Sequence, residues 1–251
     1  MKCIGGALIL LAALGAAPAA AQEAFTSIAS LETYKPSYFL QGQPDTKIQV
    51  SLKLRLVQDQ NLYFGYSQLM IWQFVRANSH FSDLNYNPEL FYRFPLGDGK
   101  RWVDFGPFEH ESDGKSGAAA RSWNRTYVRG HDEWAVGGTA RASVELKAWV
   151  PYLMDPASRN IPQYRGLYET NLTLSDFIPG LDFDDLILRL YPGGPSDVDP
   201  TRGGQELTLR LHFKQSKKAL PVVTFQVFHG FAESLLTDTR SYWAWRAGIG
   251  F

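Results

Sequence analysis

Cysteine is almost absent from this chain, since Cys3 is the only one among 251 residues. Because Cys3 lies in a predicted leader, we expect the mature protein to have no disulfide, no thiolate metal ligand and no cysteine nucleophile. Long apolar runs are also absent, because no stretch after Ala21 reaches the roughly 20 residues that a membrane helix needs. With 25 basic and 25 acidic residues, the charge balance gives no case for a nucleic-acid partner.

The first 21 residues are organised like a secretory signal peptide. Lys2 precedes an apolar segment over residues 4–16, and small residues follow, with Ala19 and Ala21 in the A-x-A cleavage pattern. We therefore expect residues 1–21 to be a signal peptide that is cleaved after Ala21. Residues 22–251 are predicted to form a single domain.

Strand-like alternation of apolar and polar residues dominates the rest of the chain. In residues 47–56 every second side chain is Ile, Val or Leu, and those between are polar. Twelve strands are predicted, an even number that is typical of bacterial outer-membrane barrels. They cover residues 34–41, 47–56, 62–73, 87–94, 101–110, 122–129, 140–150, 164–174, 186–191, 205–213, 222–231 and 242–251. The plainest of the long loops is predicted over residues 192–204.

The last predicted strand indicates the environment of the fold. One of its faces carries Trp243, Trp245, Ala247, Ile249 and Phe251. Outer-membrane barrels have such apolar faces toward lipid, with aromatic residues at the interfaces. The predicted fold class is therefore all-β, a twelve-stranded antiparallel transmembrane β-barrel. The alternative is a soluble periplasmic β-sandwich, which would have to bury this aromatic face.

One amide interrupts an apolar row in the strand at residues 62–73. Gln68 lies between Tyr66 and Met70 on the face that is predicted to meet lipid. An unpaired polar group is costly in hydrocarbon, so Gln68 is expected to find a partner. Alternatively, the register shifts and Gln68 faces the lumen.

The candidate chemistry lies around a strand end. His110 and Ser112 are predicted to share a face with Phe108 and Gly106, and the antiparallel return of the chain lets Asn124 lie beside His110. A serine next to an imidazole that a third polar side chain orients can perform nucleophilic acyl transfer. The His-x-Ser spacing occurs by chance in many proteins, so the hypothesis depends on the whole constellation.

Four segments carry a resemblance to a known family: HESDG from His110, RSWNR from Arg121, NYNPELF from Asn85 and GFAESL from Gly230. They resemble the outer-membrane phospholipase A family, the bacterial phospholipase A1 enzymes, over essentially the whole mature chain. The resemblance implies a barrel integral to the bacterial outer membrane. It also implies hydrolysis of the acyl esters of glycerophospholipids, with A1 and A2 activity, by a reversible homodimer that depends on calcium.

The resemblance also implies roles for single residues. By position, Ser112 would be the nucleophile, His110 the general base and Asn124 the residue that orients the imidazole. The amide of Gly114 would be the oxyanion donor, and Gln68 would lie at the dimer interface within the membrane.

The metal site departs most from the family pattern. Calcium would meet the main-chain carbonyl of Lys115, while Ala120 replaces a serine whose hydroxyl is expected as a ligand. Ser79 is the nearest candidate for the hydroxyl that the partner subunit supplies, and Asp155 lies close to a second calcium position. Asp113 stands in place of the motif asparagine. Calcium is therefore expected to bind with fewer protein ligands than in the family pattern.

The alternative function belongs to another class, a barrel that does not catalyse. Twelve strands could enclose a small outer-membrane pore or form a purely structural barrel, and Lys53, Arg55, Arg125 and Arg210 would suit the lumen of a pore. A triad that faces lipid argues against this reading, because a pore has no use for it.

Overall fold

The computed structural model describes residues 30–74, 79–195, 198–213 and 221–250. The predicted signal peptide at residues 1–21 and the terminal Phe251 lie outside these ranges. None of the helices in the described part of the chain is long and apolar enough to cross a membrane.

Thirteen strands form one antiparallel sheet. They are β1 Ser30–Thr33, β2 Tyr38–Gln43, β3 Thr46–Arg55, β4 Leu62–Trp72, β5 Phe81–Leu96, β6 Arg101–Ser112, β7 Ser122–Gly137, β8 Ala140–Tyr152, β9 Tyr168–Ser175, β10 Leu181–Gly193, β11 Asp199–Phe213, β12 Val222–Gly230 and β13 Tyr242–Gly250. A 3-10 helix at Pro156–Ser158 and helix α1 at Ile161–Arg165 lie between β8 and β9.

The sheet closes on itself as a twelve-stranded ring. Each strand from β3 to β12 pairs with the next along the chain. β2 pairs with both β13 and β3, which closes the ring. β1 pairs with residues 52–55 of β3 and β2 with residues 47–49, so β1 and β2 are two pieces of one interrupted strand. The predicted twelve-stranded antiparallel barrel is confirmed. Closure matters because it leaves no unpaired sheet edge in the membrane.

Several predicted boundaries need correction. The strands expected at 87–94, 122–129 and 186–191 are longer than predicted. The strand expected at 164–174 begins only at Tyr168, because residues 164 and 165 belong to α1. The loop predicted over 192–204 is wrong in most of its length, because only residues 194–198 lie between β10 and β11. Gly204 belongs to β11, where a Cβ would lie 2.3 Å from the Tyr191 hydroxyl.

The two ends of the barrel differ in the length of their connections. At one end the chain turns through short segments, such as residues 97–100 and 138–139. The other end carries the long segments 113–121, 153–167 and 231–241, called the long-loop end below. Long loops are characteristic of the extracellular end of outer-membrane barrels.

The outside of the barrel is apolar. Trp243 and Trp245 of the last strand are 66% and 62% exposed, so the β-sandwich alternative is wrong, because it requires them to be buried. Exposed Phe105, Val128 and Leu207 continue this surface on other strands. An apolar outer belt around a polar interior is what a lipid-embedded barrel requires.

Ion pairs occupy the inside of the barrel. The ammonium of Lys47 on β3 lies 2.5 Å from Glu206 on β11, and that of Lys147 on β8 lies 2.8 Å from Glu109 on β6. Arg129 on β7 donates to Asp104 on β6. These pairs leave a cavity of about 400 Å³ lined by polar side chains. They disfavour the pore alternative, because the bonded side chains stand where ions would pass.

Asp104 provides a test of how far these lumen pairs stabilise the fold. Its carboxylate accepts from Arg93 Nε at 2.7 Å and from Arg129 Nε at 3.1 Å, and Arg129 is buried. Asp104→Ala should lower the free energy of unfolding by about 3–5 kcal/mol, because it leaves a buried charge unpaired. Asp132→Ala, in the exposed pair with Arg101, should cost about 0–1 kcal/mol.

Denaturant unfolding of the protein in lipid vesicles, followed by tryptophan fluorescence, measures both values. Equal costs for the two variants would contradict a stabilising role of the lumen pairs.

Candidate active site

A bulge in β6 sets the face on which the candidate site lies. Gly106 pairs with Tyr127 and Glu109 with Arg125, so β6 uses one residue more than β7 between these pairs. Gly106 consequently faces the lumen, where a Cβ would lie 2.2 Å from the Tyr127 ring. The predicted shared face of Gly106 and Phe108 is therefore wrong. Beyond the bulge, buried Glu109 faces inward. Phe108, His110 and Ser112 alternate with Glu109 along β6 and therefore face outward.

His110 and Asn124 meet on this outer face. They are paired residues of β6 and β7, and His110 Nδ1 lies 2.9 Å from Asn124 Oδ1. The side-chain amide of Asn124 donates to the carbonyl of Leu153 at 3.0 Å, which orients Oδ1 toward the imidazole. An oxygen at that position must accept, so His110 carries its proton on Nδ1. Nε2 is then left as a proton acceptor.

Ser112 lies two residues beyond His110 on the same strand and is the last residue of β6. It is paired with Ser122 on β7 and with Tyr86 on β5. Among the described residues, no hydrogen bond joins the Ser112 hydroxyl to His110. Catalytic hydrogen bonds are often long before substrate binds, so the shared face and spacing are the informative features.

The turn that follows Ser112 is held by Asp113. Its Oδ1 accepts from the amides of Lys115 and Arg121, at 3.1 and 3.2 Å. Gly114 has φ +67°, and a Cβ there would lie 2.7 Å from the Tyr86 ring. Glycine is therefore required at this position both for its backbone conformation and for its contact. The aspartate that replaces the motif asparagine shapes this turn.

The residues predicted to bind calcium are Lys115, Ser79 and Asp155. Among the described residues, no group of three or more Asp, Glu, His or Cys side chains could hold a metal ion. Asp113 Oδ2 is buried without a hydrogen-bond partner, and the Lys115 ammonium is 3.5 Å from it. Asp155 accepts from the Ser122 hydroxyl at 2.7 Å, which places it beside the strand end that carries Ser112. Ser79 is exposed, next to the start of β5.

Gln68 faces outward, as predicted from the apolar row. Gly65 and Ser67 lie on the opposite face of β4 from Gln68, and both are buried in the barrel. The alternative of a lumen-facing Gln68 is therefore wrong. The Tyr66 hydroxyl donates to Gln68 Oε1 at 3.0 Å. Gln68 is paired with Tyr86, which is paired with Ser112, so the amide and the serine lie in one row across three strands.

Sequence reasoning missed two groups that hold the site. The side-chain amide of Asn87 donates to the carbonyl of His110 at 2.8 Å and to Glu109 Oε1 at 3.2 Å. The Leu153 carbonyl is the second group, and no side-chain pattern signals a main-chain acceptor. Asn87 stands in the NYNPELF segment, but the alternation there could not reveal a contact across β5 and β6.

Comparison with known proteins identifies the family of this chain. The family model described as Phospholipase A1 matches residues 19–251. The chain belongs to the phospholipase A1 family. Phospholipase A1 of Escherichia coli K12 is 28% identical over 219 residues, which are 82% of this chain and 68% of that protein. A relative from Neisseria meningitidis serogroup B is 27% identical over 224 residues, 81% of this chain. This chain spans 53% of the Neisseria protein.

Solved structures share the architecture. The Salmonella typhi outer membrane phospholipase, a dimer with bound calcium, superposes with a TM-score of 0.69 and 21% identity over 88% of this chain and 92% of that chain. Outer membrane phospholipase A from Escherichia coli gives a TM-score of 0.69 and 22% identity, over 88% of this chain and 94% of that chain. At 21–22% identity, the structural similarity to these two phospholipases is evidence for the fold of this chain alone.

Proposed function

We propose that this protein is an outer-membrane phospholipase that hydrolyses the acyl esters of glycerophospholipids, with A1 and A2 activity. The observation that supports the proposal most directly is the 2.9 Å contact between His110 and Asn124, on the outer face of the barrel that also carries Ser112. A nucleophile on that face is accessible to a lipid ester without extraction of the lipid into a pocket. Membership of the phospholipase A1 family supports the same reaction.

In the proposed mechanism, His110 Nε2 takes the proton of the Ser112 hydroxyl as its oxygen attacks the ester carbonyl. The Gly114 amide donates to the oxyanion of the tetrahedral intermediate. The imidazolium returns its proton to the departing glycerol oxygen, which leaves an acyl-serine. Water attacks that ester with His110 again as base, which releases the fatty acid and restores Ser112.

Asn124 suits a triad in this environment. Its amide fixes the imidazole through one acceptor and one donor contact, to His110 and to Leu153. An aspartate would stabilise the imidazolium more strongly, but it would place a negative charge next to lipid. The neutral amide of Asn124 stabilises the imidazolium less, but it avoids the desolvation cost of a negative charge.

The protein lies in the bacterial outer membrane as an integral barrel, after removal of residues 1–21 as a signal peptide. The exposed tryptophans Trp243 and Trp245 and the apolar belt support this location. The triad then lies at the long-loop end, in the leaflet that faces the outside of the cell.

We propose that calcium assists the reaction at the turn of residues 113–121. The unsatisfied Oδ2 of Asp113 and the main-chain oxygen of Lys115 fit a weakly held ion, completed by water and by Ser79 of a second copy. Asp155 would contribute to a second position next to Ser122. When bound, calcium would act as a Lewis acid beside the oxyanion. Ala120 supplies no hydroxyl, and the Lys115 ammonium competes for Asp113.

The active form is proposed to be a reversible homodimer. The side-chain oxygen of Gln68 accepts a hydrogen bond from the Tyr66 hydroxyl, while no described residue accepts from the side-chain N–H groups of Gln68. Those donors suit the Gln68 oxygen of a second copy, and such a contact is worth roughly 0.5–2 kcal/mol in a bilayer. A second barrel at this face would flank the row that ends at Ser112 and complete a groove for an acyl chain.

The triad is tested by substitutions that leave the barrel folded. Ser112→Ala and His110→Ala should abolish release of fatty acid from mixed micelles of phospholipid and detergent, because they remove the nucleophile and the base. Asn124→Ala should keep part of the activity, because it orients the imidazole and makes no bond to substrate. Ser30→Ala, at the exposed serine that begins β1, is the control. More than about a tenth of wild-type activity in Ser112→Ala would overturn the assignment.

Calcium dependence is tested by titration of the metal. Activity should need calcium, and Ala120→Ser should lower the concentration required severalfold, because a hydroxyl adds an oxygen ligand. Ala118→Ser, in the same turn, should leave the requirement unchanged. Full turnover in excess chelator would refute calcium assistance and leave the Gly114 amide as the only oxyanion donor.

The dimer is tested by cross-linking through single cysteines. Gln68→Cys should form a disulfide-linked dimer on oxidation in micelles that support activity, and far less of it when excess detergent disperses the protein before oxidation. Leu172→Cys, exposed on β9, should not cross-link. Full activity of a strictly monomeric preparation would contradict the proposal.

A further inference from the structure

The segment between β12 and β13, residues 231–241, folds back toward the barrel at its long-loop end and is called the β12–β13 loop here. Its residues 232–235 are buried, and Leu235 packs in the aromatic cluster with Phe91, Trp123 and Trp149. The Ala232 amide donates to the Thr237 carbonyl, which closes the loop on itself. The loop is thus part of the core.

Charged side chains of the barrel wall anchor this loop. Glu233 lies 3.0 Å from the Lys47 ammonium and 2.6 Å from Arg246 Nη1. Burial raises the pKa of Glu233, but Lys47 and Arg246 outweigh that effect and hold its pKa at about 2. Glu233 therefore stays ionised, and its contacts fix the first half of the loop over the lumen.

The main chain of the loop is fixed as well. The amide of Leu235 donates to Asn85 Oδ1 at 3.0 Å, and that of Leu236 donates to Asp83 Oδ2 at 2.9 Å. Asp83 and Asn85 belong to β5, the strand that also carries Tyr86 against Gly114. A loop held on three strands in this way provides a rigid support for a neighbouring segment.

Arg121 connects this support to the candidate active site. One guanidinium nitrogen, Nη1, donates to the Leu235 carbonyl at 3.0 Å and to Asp238 Oδ1 at 2.8 Å. At its main chain, Arg121 donates to Asp113 Oδ1 and accepts from the Asp113 amide at 3.0 Å. Arg121 therefore bonds both the residue that precedes Gly114 and the buried loop. Nothing in the proposed reaction uses Arg121 or Asp238 directly.

We propose that Arg121 and Asp238 are positioning residues that hold the Gly114 amide in place relative to Ser112, through the β12–β13 loop. This inference rests on the proposed ester hydrolysis. An oxyanion donor contributes only when its N–H lies within hydrogen-bond distance of the position where the negative charge develops. The Gly114 turn has few other supports, namely Asp113 and the Tyr86 ring, so loss of the Arg121 contacts should let it drift.

The experiment compares kcat and KM of Asp238→Asn and Arg121→Ala with the wild type in mixed micelles at saturating calcium. Loss of a whole oxyanion donor costs about 10²–10³ in kcat, so a displaced donor should cost about tenfold or more, with KM nearly unchanged. Arg121→Lys should recover part of kcat, because an ammonium can still reach one of the two acceptors. Asp199→Asn, in the exposed pair with Arg202, should match the wild type.

The double variant Arg121→Ala/Asp238→Asn separates positioning from general damage. If the two residues act as a pair, the double variant should lose no more kcat than the Arg121→Ala variant alone. Heat-modifiable gel migration should remain that of a folded barrel in every variant. Where a variant fails this check, the test uses Arg121→Lys, because lysine keeps a positive charge beside Asp238.

The outcomes distinguish this inference from the proposed function. A wild type that releases no fatty acid while folded and loaded with calcium defeats the proposed function itself. An active wild type whose Asp238→Asn and Arg121→Ala variants keep full kcat overturns only the positioning role. If both variants raised KM equally and left kcat unchanged, the positioning role would also be overturned. Arg121 and Asp238 would then contribute to substrate binding that is equally strong in the ground state and the transition state.

Discussion

The position of Glu109 inside the barrel is the constraint on which the candidate site depends. Its carboxylate lies 2.8 Å from the Lys147 ammonium and 2.9 Å from Arg125 Nη2, and all three side chains are buried. Rotating Glu109 to the lipid face would take the Glu109 carboxylate away from buried Lys147 and leave buried Arg125 with Glu111 alone, which costs several kcal/mol. Because neighbouring residues of a strand point to opposite faces, this fixes His110 on the outside.

The bulge in β6 makes this arrangement compatible with the rest of the strand. If β6 alternated regularly from an inward Gly106, with no bulge before Glu109, His110 would face inward too. The inward Gly106 is itself needed, since the Tyr127 ring occupies the space of its side chain, and the Tyr127 hydroxyl bonds Glu89. One extra residue in β6 thus lets Gly106 face the lumen while His110 and Ser112 of the proposed triad face outward.

Much of this fold follows from local patterns, and the exceptions have identifiable physical causes. Alternation predicts the strands because each has one polar and one apolar face, and the His110, Ser112 and Asn124 grouping follows from antiparallel pairing. The bulge adds a single residue and leaves no compositional trace. Glycine at position 204 indicates a loop by propensity, but in the structure it provides room for the Tyr191 ring. The contact of Arg121 with Asp238 joins residues 117 positions apart, which no local pattern encodes.

Asn124, the third member of the proposed triad, contacts a main chain of unusual conformation. Leu153 has φ +46°, a left-handed conformation that costs a residue with a side chain about 1–2 kcal/mol. Its side chain is 80% exposed, so packing of that side chain does not explain the strain. What the conformation provides is a carbonyl aimed at the Asn124 amide, at 3.0 Å. That contact decides which end of the amide faces His110, and therefore on which nitrogen the imidazole carries its proton. Strain in the loop after β8 thus helps to leave His110 Nε2 free to accept a proton, on the face that also carries Ser112.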